Sequence, residues 1–95
     1  FDEAAVQKRL RPAGTAALLR EMADVFAALP AFDVAALEQT VHAKGEALGG
    51  LGAVVHPLRV AVSGVAEGPG LFEMLAIIGR ERVCARLRKA AEIAG

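Results

Sequence analysis

Aromatic residues and net charge are both scarce in this sequence of 95 residues. It contains four Phe and no Tyr or Trp, and because strands favour aromatic and β-branched residues, this composition argues against a β-sheet. Its 11 Lys and Arg balance its 11 Asp and Glu. No overall positive charge attracts nucleic acid, so binding of that kind would need a local basic patch.

A single cysteine and the lack of a long apolar run indicate the cellular compartment in which we expect the protein. One cysteine cannot form an internal disulfide, and chains without disulfides are typical of reducing compartments. The sequence has no secretory signal and no apolar run of about 18 residues, the length that a membrane-spanning helix needs. We therefore expect a cytoplasmic protein with no membrane contact. The chain starts on Phe1 without a methionine, which indicates a piece of a longer protein.

Alanine is the residue that the sequence has in abundance. There are 21 alanines, and alanine has the best helix propensity of all residues. A chain of this length forms one domain and buries roughly 60 to 65% of the surface that its unfolded form exposes. The composition therefore predicts a single, mostly helical domain.

Apolar spacing and capping residues predict three helices in the first half of the chain. The first runs from Asp2 to Arg11, Thr15 is the expected N-cap of the second, and Asp33 is the expected N-cap of the third. The expected inward residues are Leu18, Leu19, Met22, Val25, Phe26 and Leu29 in the second helix and Val34, Leu37, Val41 and Leu48 in the third. Gly45 is expected to weaken the last turn of the third helix, and residues 49–52 are expected to form a flexible connector.

The last helix is predicted from about Arg80 to Ala94. Its expected inward residues are Val83, Leu87, Ala90 and Ala94, with Cys84 and Ala91 beside them in packing positions. Arg82, Arg86 and Lys89 recur at intervals of four and three, so they lie together on the opposite face. Such a stripe is most often a solvated helix face. The alternative is that it neutralises phosphates of a bound nucleic acid, each contact adding about one unit to the salt dependence of binding.

The segment from His56 to Gly79 is the most unusual part of the chain, because prolines, glycines and an arginine interrupt its apolar blocks. Pro69 suits the first position of a helix, and Gly79 is placed to end that helix in a left-handed cap. The amides of Gly70, Leu71 and Phe72 would have no partner within the helix and would face the preceding loop.

Residues 58–68 allow more than one interpretation. Residues 58–62 alternate large apolar residues with Arg59 and Ala61, which is typical of a short strand. No partner strand is evident, and a lone strand leaves its backbone groups unpaired. Gly64 and Gly68 could belong to a phosphate-binding loop, but its lysine and hydroxyl residue are missing. A structural tight turn is the plain alternative.

No group of residues predicts catalysis or metal binding. His42 and His56 are far apart in sequence and lack acidic neighbours, so they predict neither a ligand set nor a catalytic pair. Cys84 has no second cysteine with which to build a metal site. No set of nucleophile, base and acid emerges from the sequence.

Three blocks of the sequence resemble the C-terminal end of bacterial glutamyl-tRNA synthetases. They are residues 56–64 (HPLRVAVSG), residues 68–73 (GPGLFE) and residues 78–87, which begin IGRERV. A weaker likeness upstream extends the resemblance over nearly the whole chain. It implies the helical anticodon-binding domain of a class I synthetase, without the HIGH and KMSKS motifs of the catalytic domain. It also implies that residues 57–63 form one or two helical turns in place of a strand.

The same resemblance implies four residues that contact RNA. In the family, the residues matching Arg59, Gly68, Pro69 and Leu71 lie against anticodon bases. Many relatives have Thr or Ser where this chain has Gly68, so a hydroxyl contact is lost there while main-chain contacts remain. By composition alone Arg59 would be a surface arginine. In the role that the resemblance implies, the planar guanidinium of Arg59 donates hydrogen bonds to a base edge or stacks on a base face.

We therefore expect an all-α, single-domain cage of about six helices, in which residues 1–52 support the fold and residues 53–95 read a tRNA anticodon loop. The parent glutamate-tRNA ligase would join glutamate to tRNA with ATP and Mg²⁺ on a domain absent from this chain. The fragment would then have no catalytic residues, metal or cofactor of its own. We expect a monomer that does not bind DNA. The alternative function is a small helical protein-interaction module, which the neutral charge and high alanine content favour.

Overall fold

Five helices and one short helical turn form the described part of the chain. The computed structural model describes residues 3–5, 14–64 and 70–94. Its elements are α1 (Glu3–Ala5), α2 (Thr15–Ala28), α3 (Val34–Ala47), α4 (Gly52–Ser63), α5 (Leu71–Ile78) and α6 (Arg80–Ala94). These residues contain no strand, which confirms the all-α prediction. The rest of the helix expected from Asp2 to Arg11 lies outside the described residues.

The start of α2 differs from the prediction. Thr15 is not the N-cap but the first helical residue, and its side chain is buried. The N-cap is Gly14, whose φ of 87° places it in the left-handed region. Glycine adopts that conformation at no steric cost, and no side chain caps the first turn of α2.

The inward face of α2 is narrower than the sequence predicts. Leu19, Met22 and Phe26 are fully buried, whereas Val25 is 37% exposed. Ala23 is fully buried, because it continues the helical spacing from Leu19 on the side that a neighbouring helix covers. Each large buried side chain on this face contributes about 1.5 to 3 kcal/mol of hydrophobic stabilisation.

Helix α3 begins as predicted at Asp33. Its carboxylate oxygen accepts a hydrogen bond of 2.9 Å from the backbone amide of Ala36, which satisfies one of the unpaired amides of the first turn. Leu37 is fully buried, as is Val41. Two expected inward residues are wrong, since Val34 is 36% exposed and Leu48 is 46% exposed. Both lie at the ends of the helix, away from the buried middle turns.

Gly45 allows α3 to approach the start of α4 closely. A Cβ atom added at Gly45 would lie 2.9 Å from the Cα of Leu51, closer than real side chains approach a backbone. The connection after it is a hydrogen-bonded turn, in which the amide of Gly50 donates to the carbonyl of Gly45 at 2.8 Å. The expected connector at residues 49–52 is therefore shorter, and α4 already begins at Gly52.

Helix α6 runs antiparallel to α2, and these two helices pack together more extensively than any other pair. The Arg80 guanidinium donates to the carbonyl of Leu29 at 2.6 Å, near one end of the pair. The Cys84 thiol donates to the carbonyl of Ala23 at 3.4 Å, further along. The inward residues Val83, Leu87 and Ala90 are fully buried as predicted, and Ala94 is partly buried.

Two aromatic rings close the end of the bundle where α2 meets α3. The rings of Phe26 and Phe32 meet edge to face with their centroids 6.0 Å apart. The Arg80 guanidinium lies 5.6 Å from the centroid of the Phe32 ring, close enough for a cation-π attraction. These contacts fix the start of α6 against the turn between α2 and α3.

The described helices form one body with a radius of gyration of 11.8 Å, close to the roughly 12 to 13 Å typical of a domain of this length. None of the described helices combines the length and the apolar character needed to cross a membrane.

Candidate nucleic-acid interface

Helix α4 carries the first predicted site residue. It begins at Gly52, five residues earlier than the helical turns expected at residues 57–63, and it continues through Pro57. Because Pro57 has no N–H to donate to the carbonyl of Ala53, a proline at this position costs roughly 3 kcal/mol in an isolated helix. Pro57 is buried here. Packing of the ring and its neighbours therefore offsets the lost hydrogen bond.

The strand-like alternation in α4 has a helical explanation. Leu58, Val60 and Val62 are all buried, although residues two apart point in different directions on a helix. Helix α4 touches α2, α3, α5 and α6, so more than one of its faces is covered. A helix that is apolar nearly all round is a buried helix.

One face of α4 stays accessible, and Arg59 lies on it. The residues at helical spacing along this face are Gly52, His56, Arg59 and Ser63, and all are at least partly exposed. The imidazole of His56 lies over Gly52, with its Cδ2 atom 3.3 Å from where a Cβ of Gly52 would be. The Ser63 hydroxyl donates to the carbonyl of Arg59 at 2.5 Å. This stripe is an accessible part of α4 that carries polar side chains.

The C-terminal end of α4 is held by two hydrogen bonds from beyond the helix. Gly64 adopts a left-handed conformation with φ of 81°, and its amide donates to the carbonyl of Val60 at 2.7 Å. The Arg86 guanidinium reaches across from α6 and donates to the carbonyl of Val62 at 2.8 Å. These partners satisfy carbonyls that the helix itself leaves unpaired.

Helix α5 follows the predicted RNA-reading turn. It begins at Leu71, whose side chain is 4% exposed and packs in the core. Gly68 and Pro69 lie outside the described residues, and so does the expectation that Pro69 starts the helix. The Glu73 carboxylate folds back toward Gly70, the N-cap of α5. A negative charge at that position is favourable beside the positive end of the helix dipole.

Gly79 differs from its predicted role. Its φ of 93° is positive, but its ψ of 154° is extended, so it does not form a left-handed cap. Its amide donates to the carbonyl of Leu75, and its carbonyl accepts from the amide of Val83. One residue therefore ends α5 and starts α6, which requires an abrupt change of direction that glycine permits.

The three predicted basic residues of α6 are all exposed, and two of them line one cleft. Arg86 and Lys89 line a cleft of about 650 Å³ between α6 and the end of α4. Its other lining residues are Ala61, Val62, Ser63, Gly64 and Ala85. Arg82 lines a separate depression with residues 78–81. The structure thus brings two of the three cations beside the polar end of α4.

Residues 1–91 match the family model described as the anticodon binding domain. The chain belongs to this family. The curated relatives of this anticodon-binding domain include the glutamate-tRNA ligase of Moorella thermoacetica, which is 41% identical over 92 residues, covering 96% of the chain and 19% of the relative. The ligase of Deinococcus radiodurans is 48% identical over 75 residues, covering 78% of the chain and 16% of the relative.

A solved structure agrees with these relatives. The chain superposes with a TM-score of 0.90 and 33% identity on the crystal structure of a glutamate tRNA ligase from Elizabethkingia meningosepticum in complex with its amino acid. The match covers all of the chain and 19% of the ligase. The anticodon-binding domain therefore spans about a fifth of the length of the relatives that it matches.

The cleft of this anticodon-binding domain has features suited to a nucleotide. Its apolar floor, formed by Ala61, Val62 and Ala85, can contact a sugar or the face of a base. The Ser63 hydroxyl offers a donor and an acceptor. Lys89 places a positive charge on the rim, where a phosphate can approach from solvent.

Two arginines of the anticodon-binding domain have structural roles that the sequence pattern did not reveal. Arg80 binds the end of α2, as described above. Arg88 forms an ion pair of 3.3 Å with Asp24 of α2, on an exposed surface, where such pairs contribute about 0 to 1 kcal/mol. Ser63 was also not predicted, although its position four residues after Arg59 places it on the same face.

Cys84 has the packing role that the sequence predicts. It is 4% exposed, and its burial raises the pKa of the thiol above the ordinary value, although Arg88 and Arg80 act in the opposite direction. Within residues 3–5, 14–64 and 70–94, no cluster of three His, Cys, Asp or Glu residues could hold a metal ion. His42 lies beside the Phe72 ring, with the ring centroids 6.1 Å apart.

Proposed function

We propose that this chain is the part of a glutamate-tRNA ligase that recognises the anticodon loop of tRNA. The whole ligase attaches glutamate to tRNA with ATP and Mg²⁺, and that chemistry takes place on another part of the protein. The observation that supports this proposal best is the position of Arg59, on the accessible face of α4 and four residues before Ser63 at the cleft. The ligases that match the chain over most of its length support the same function.

Arg59 reads an anticodon base in this proposal. The bases of a single-stranded loop are unstacked, so their hydrogen-bonding edges and faces are open to a protein. A guanidinium presents a flat fork of donors that can bond a base edge and also stack on a base face. Among the described residues that line the cleft at α4 and α6, none is Phe, Tyr or Trp. Stacking in this proposal therefore comes from the guanidinium and the aliphatic side chains.

The remaining contacts are shared between the turn before α5 and the outer face of α6. Gly68, Pro69 and Leu71 contact anticodon bases in this proposal. Because the Leu71 side chain is buried, Leu71 contributes its backbone amide, which the first turn of α5 leaves without a partner in the helix. Lys89 and Arg82 lie on exposed parts of α6, where they neutralise phosphates on either side of the anticodon. The chain acts as a monomer in the cytoplasm, where tRNA is charged, and it does not bind DNA.

A titration with RNA tests this function directly. The full-length ligase and this chain are each titrated with the anticodon stem-loop of the glutamate tRNA and with a stem-loop of the same length whose anticodon is altered. We expect tighter binding of the cognate stem-loop, since base contacts supply the specificity and phosphate contacts only the affinity. Binding of neither stem-loop would instead favour a protein-interaction module, and equal binding of both would contradict recognition of the anticodon.

A further inference from the structure

We propose that Arg86 is a positioning residue, whose hydrogen bond to the end of α4 fixes the place of Arg59 for reading the anticodon. This inference rests on the proposed function. It replaces, for Arg86, both the solvated helix face and the alternative phosphate contact that the sequence allows for Arg82, Arg86 and Lys89. The alternative roles differ in a measurable way, because a phosphate contact changes the salt dependence of binding and a positioning residue changes its specificity.

The carbonyl of Val62 is the point at which Arg86 acts. It is one of the last four carbonyls of α4, which have no partner further along the helix because Gly64 turns into the left-handed conformation. The Arg86 Nη1 atom donates to this oxygen at 2.8 Å. A cation at the negative end of a helix is favourable, and a charged donor makes a stronger hydrogen bond than a neutral one.

Helix α6 gives Arg86 a fixed base. The next residue, Leu87, is fully buried, and so is Val83 three residues earlier. The same helix is bound to α2 along its length by packing and by the hydrogen bonds of Arg80 and Cys84. The guanidinium of Arg86 therefore connects the best-packed helix pair to the end of α4.

Arg59 lies within one turn of the carbonyl that Arg86 holds. Ser63, the residue after Val62, donates from its hydroxyl to the carbonyl of Arg59. If the last turn of α4 frays, the backbone of Arg59 loses this bond as well. Hydrogen bonds weaken steeply once the donor-acceptor distance or angle departs from its narrow optimum. A displaced Arg59 would then contact correct and incorrect bases more equally.

Lys89 provides a matched comparison. It lines the same cleft and carries the same charge as Arg86. It forms neither of the ion pairs found among the described residues. Removing the charge of Lys89 therefore tests a phosphate contact alone, whereas removing that of Arg86 also removes the bond to α4.

The first experiment measures RNA binding by the full-length ligase carrying Arg86→Gln or Lys89→Gln, each of which removes one charge. Dissociation constants are measured at several salt concentrations with cognate and altered stem-loops. We expect Arg86→Gln to keep the wild-type salt slope and to lose roughly tenfold in discrimination, the lower end of a lost bidentate base contact. We expect Lys89→Gln to lower the salt slope by about one unit and to keep discrimination.

The second experiment needs no RNA. Amide hydrogen exchange of the free ligase should be faster at Gly64 and in the last turn of α4 in Arg86→Gln than in wild type, while α3 and α5 stay unchanged. Lys89→Gln should leave exchange at α4 unchanged. If Arg86→Gln does not fold, as judged by circular dichroism, Arg86→Lys is used, because it keeps the charge and loses the guanidinium geometry.

Two results would overturn the positioning role. One is unchanged exchange at the end of α4, and the other is a lower salt slope with full discrimination in Arg86→Gln. A wild-type ligase that does not distinguish the two stem-loops would contradict the proposed function instead. The exchange measurement then still decides whether Arg86 holds α4.

Discussion

In the proposed function, Arg59 is the residue on which recognition of the anticodon depends most. Arg59→Ala in the full-length ligase should lower recognition of the cognate tRNA by roughly 1 to 3 kcal/mol, the range of a good bidentate base contact. The difference in kcat/KM between cognate and altered anticodons should also become smaller, because the lost contact is the one that distinguishes the bases. Arg59→Lys should rescue little, because an ammonium group does not reproduce the flat fork. The measurement is kcat/KM for cognate and altered tRNAs.

Arg88→Ala is the control for this prediction. It removes an exposed arginine that pairs with Asp24 of α2 and does not line the cleft. It should leave discrimination unchanged, and formation of the glutamyl-adenylate should stay near normal in both variants. A folded Arg59→Ala ligase that discriminates as well as wild type would remove Arg59 from the site.

Cys84 should make stability depend on pH at the alkaline end. Burial raises the pKa of its thiol above the ordinary value of 9.0, so the unfolded chain releases this proton at a lower pH than the folded chain. The folded state is therefore favoured below about pH 9 and loses that advantage as pH rises through the folded pKa. Urea unfolding at pH 8 and pH 10 should show a larger loss for wild type than for Cys84→Ala. An equal loss would mean that the thiol ionises alike in both states.

The hydrogen bond from Arg86 to Val62 could not be predicted from the position of Arg86 in α6. The spacing of α6 correctly predicted that the Arg86 side chain lies on the exposed side of the helix. Its partner is a backbone carbonyl 24 residues earlier in the chain, and no local pattern encodes such a distant pair. Arg59 was identified through the family resemblance, since a lone arginine in a helix has no distinctive spacing.

The junction between α3 and α4 depends on a glycine at position 45. Gly45→Ala should destabilise the protein by about 2 kcal/mol net. The new Cβ would meet the Leu51 backbone at 2.9 Å, and because a backbone atom cannot rotate away, the overpacking cost lies toward the upper end of about 1 to 3 kcal/mol. The better helix propensity of alanine offsets about 1 kcal/mol of that cost. The free energy of unfolding in urea measures the net effect.

Gly50→Ala is the matched control for that junction. A Cβ at Gly50 meets nothing within 4 Å, and its φ is not positive. Its stability should stay within about 0.5 kcal/mol of wild type, as for most surface substitutions. If Gly45→Ala were as stable as Gly50→Ala, the helices would have to separate at no cost, and the close approach would not stabilise the fold.

At the scale of helices, the sequence predicted most elements and fewer of their boundaries. Asp33 marked the start of α3 because its side chain bonds an amide three residues later, a purely local event. The start of α4 was missed because Pro57 usually stands at the first turn of a helix, whereas here tertiary packing carries the helix through it. Val25 and Leu48 were placed inward, but the neighbouring helices decide which edge of an apolar stripe is covered.

The whole chain should have no synthetase activity by itself. It spans about a fifth of the ligases that it matches, and no nucleotide-binding motif was found in its sequence. The purified chain should therefore produce no glutamyl-adenylate and no charged tRNA. ATP-pyrophosphate exchange in the presence of glutamate checks this, with the full-length ligase as the positive control. Exchange above background by the chain alone would contradict the proposal that catalysis takes place on another part of the ligase.

The assignment of residues 1–52 to supporting the fold and of residues 53–95 to reading the anticodon stays a prediction.

The pairing of α2 with α6 has a consequence for synthesis of the protein on the ribosome. The hydrogen bond from Arg80 to Leu29 spans 51 residues, so α2 emerges well before the helix that covers its apolar face. At about 5 to 20 residues per second, a span of 51 residues takes roughly 3 to 10 s to translate. During that interval Leu19, Met22 and Phe26 lack their partner helix, and the nascent chain is open to aggregation and to chaperones.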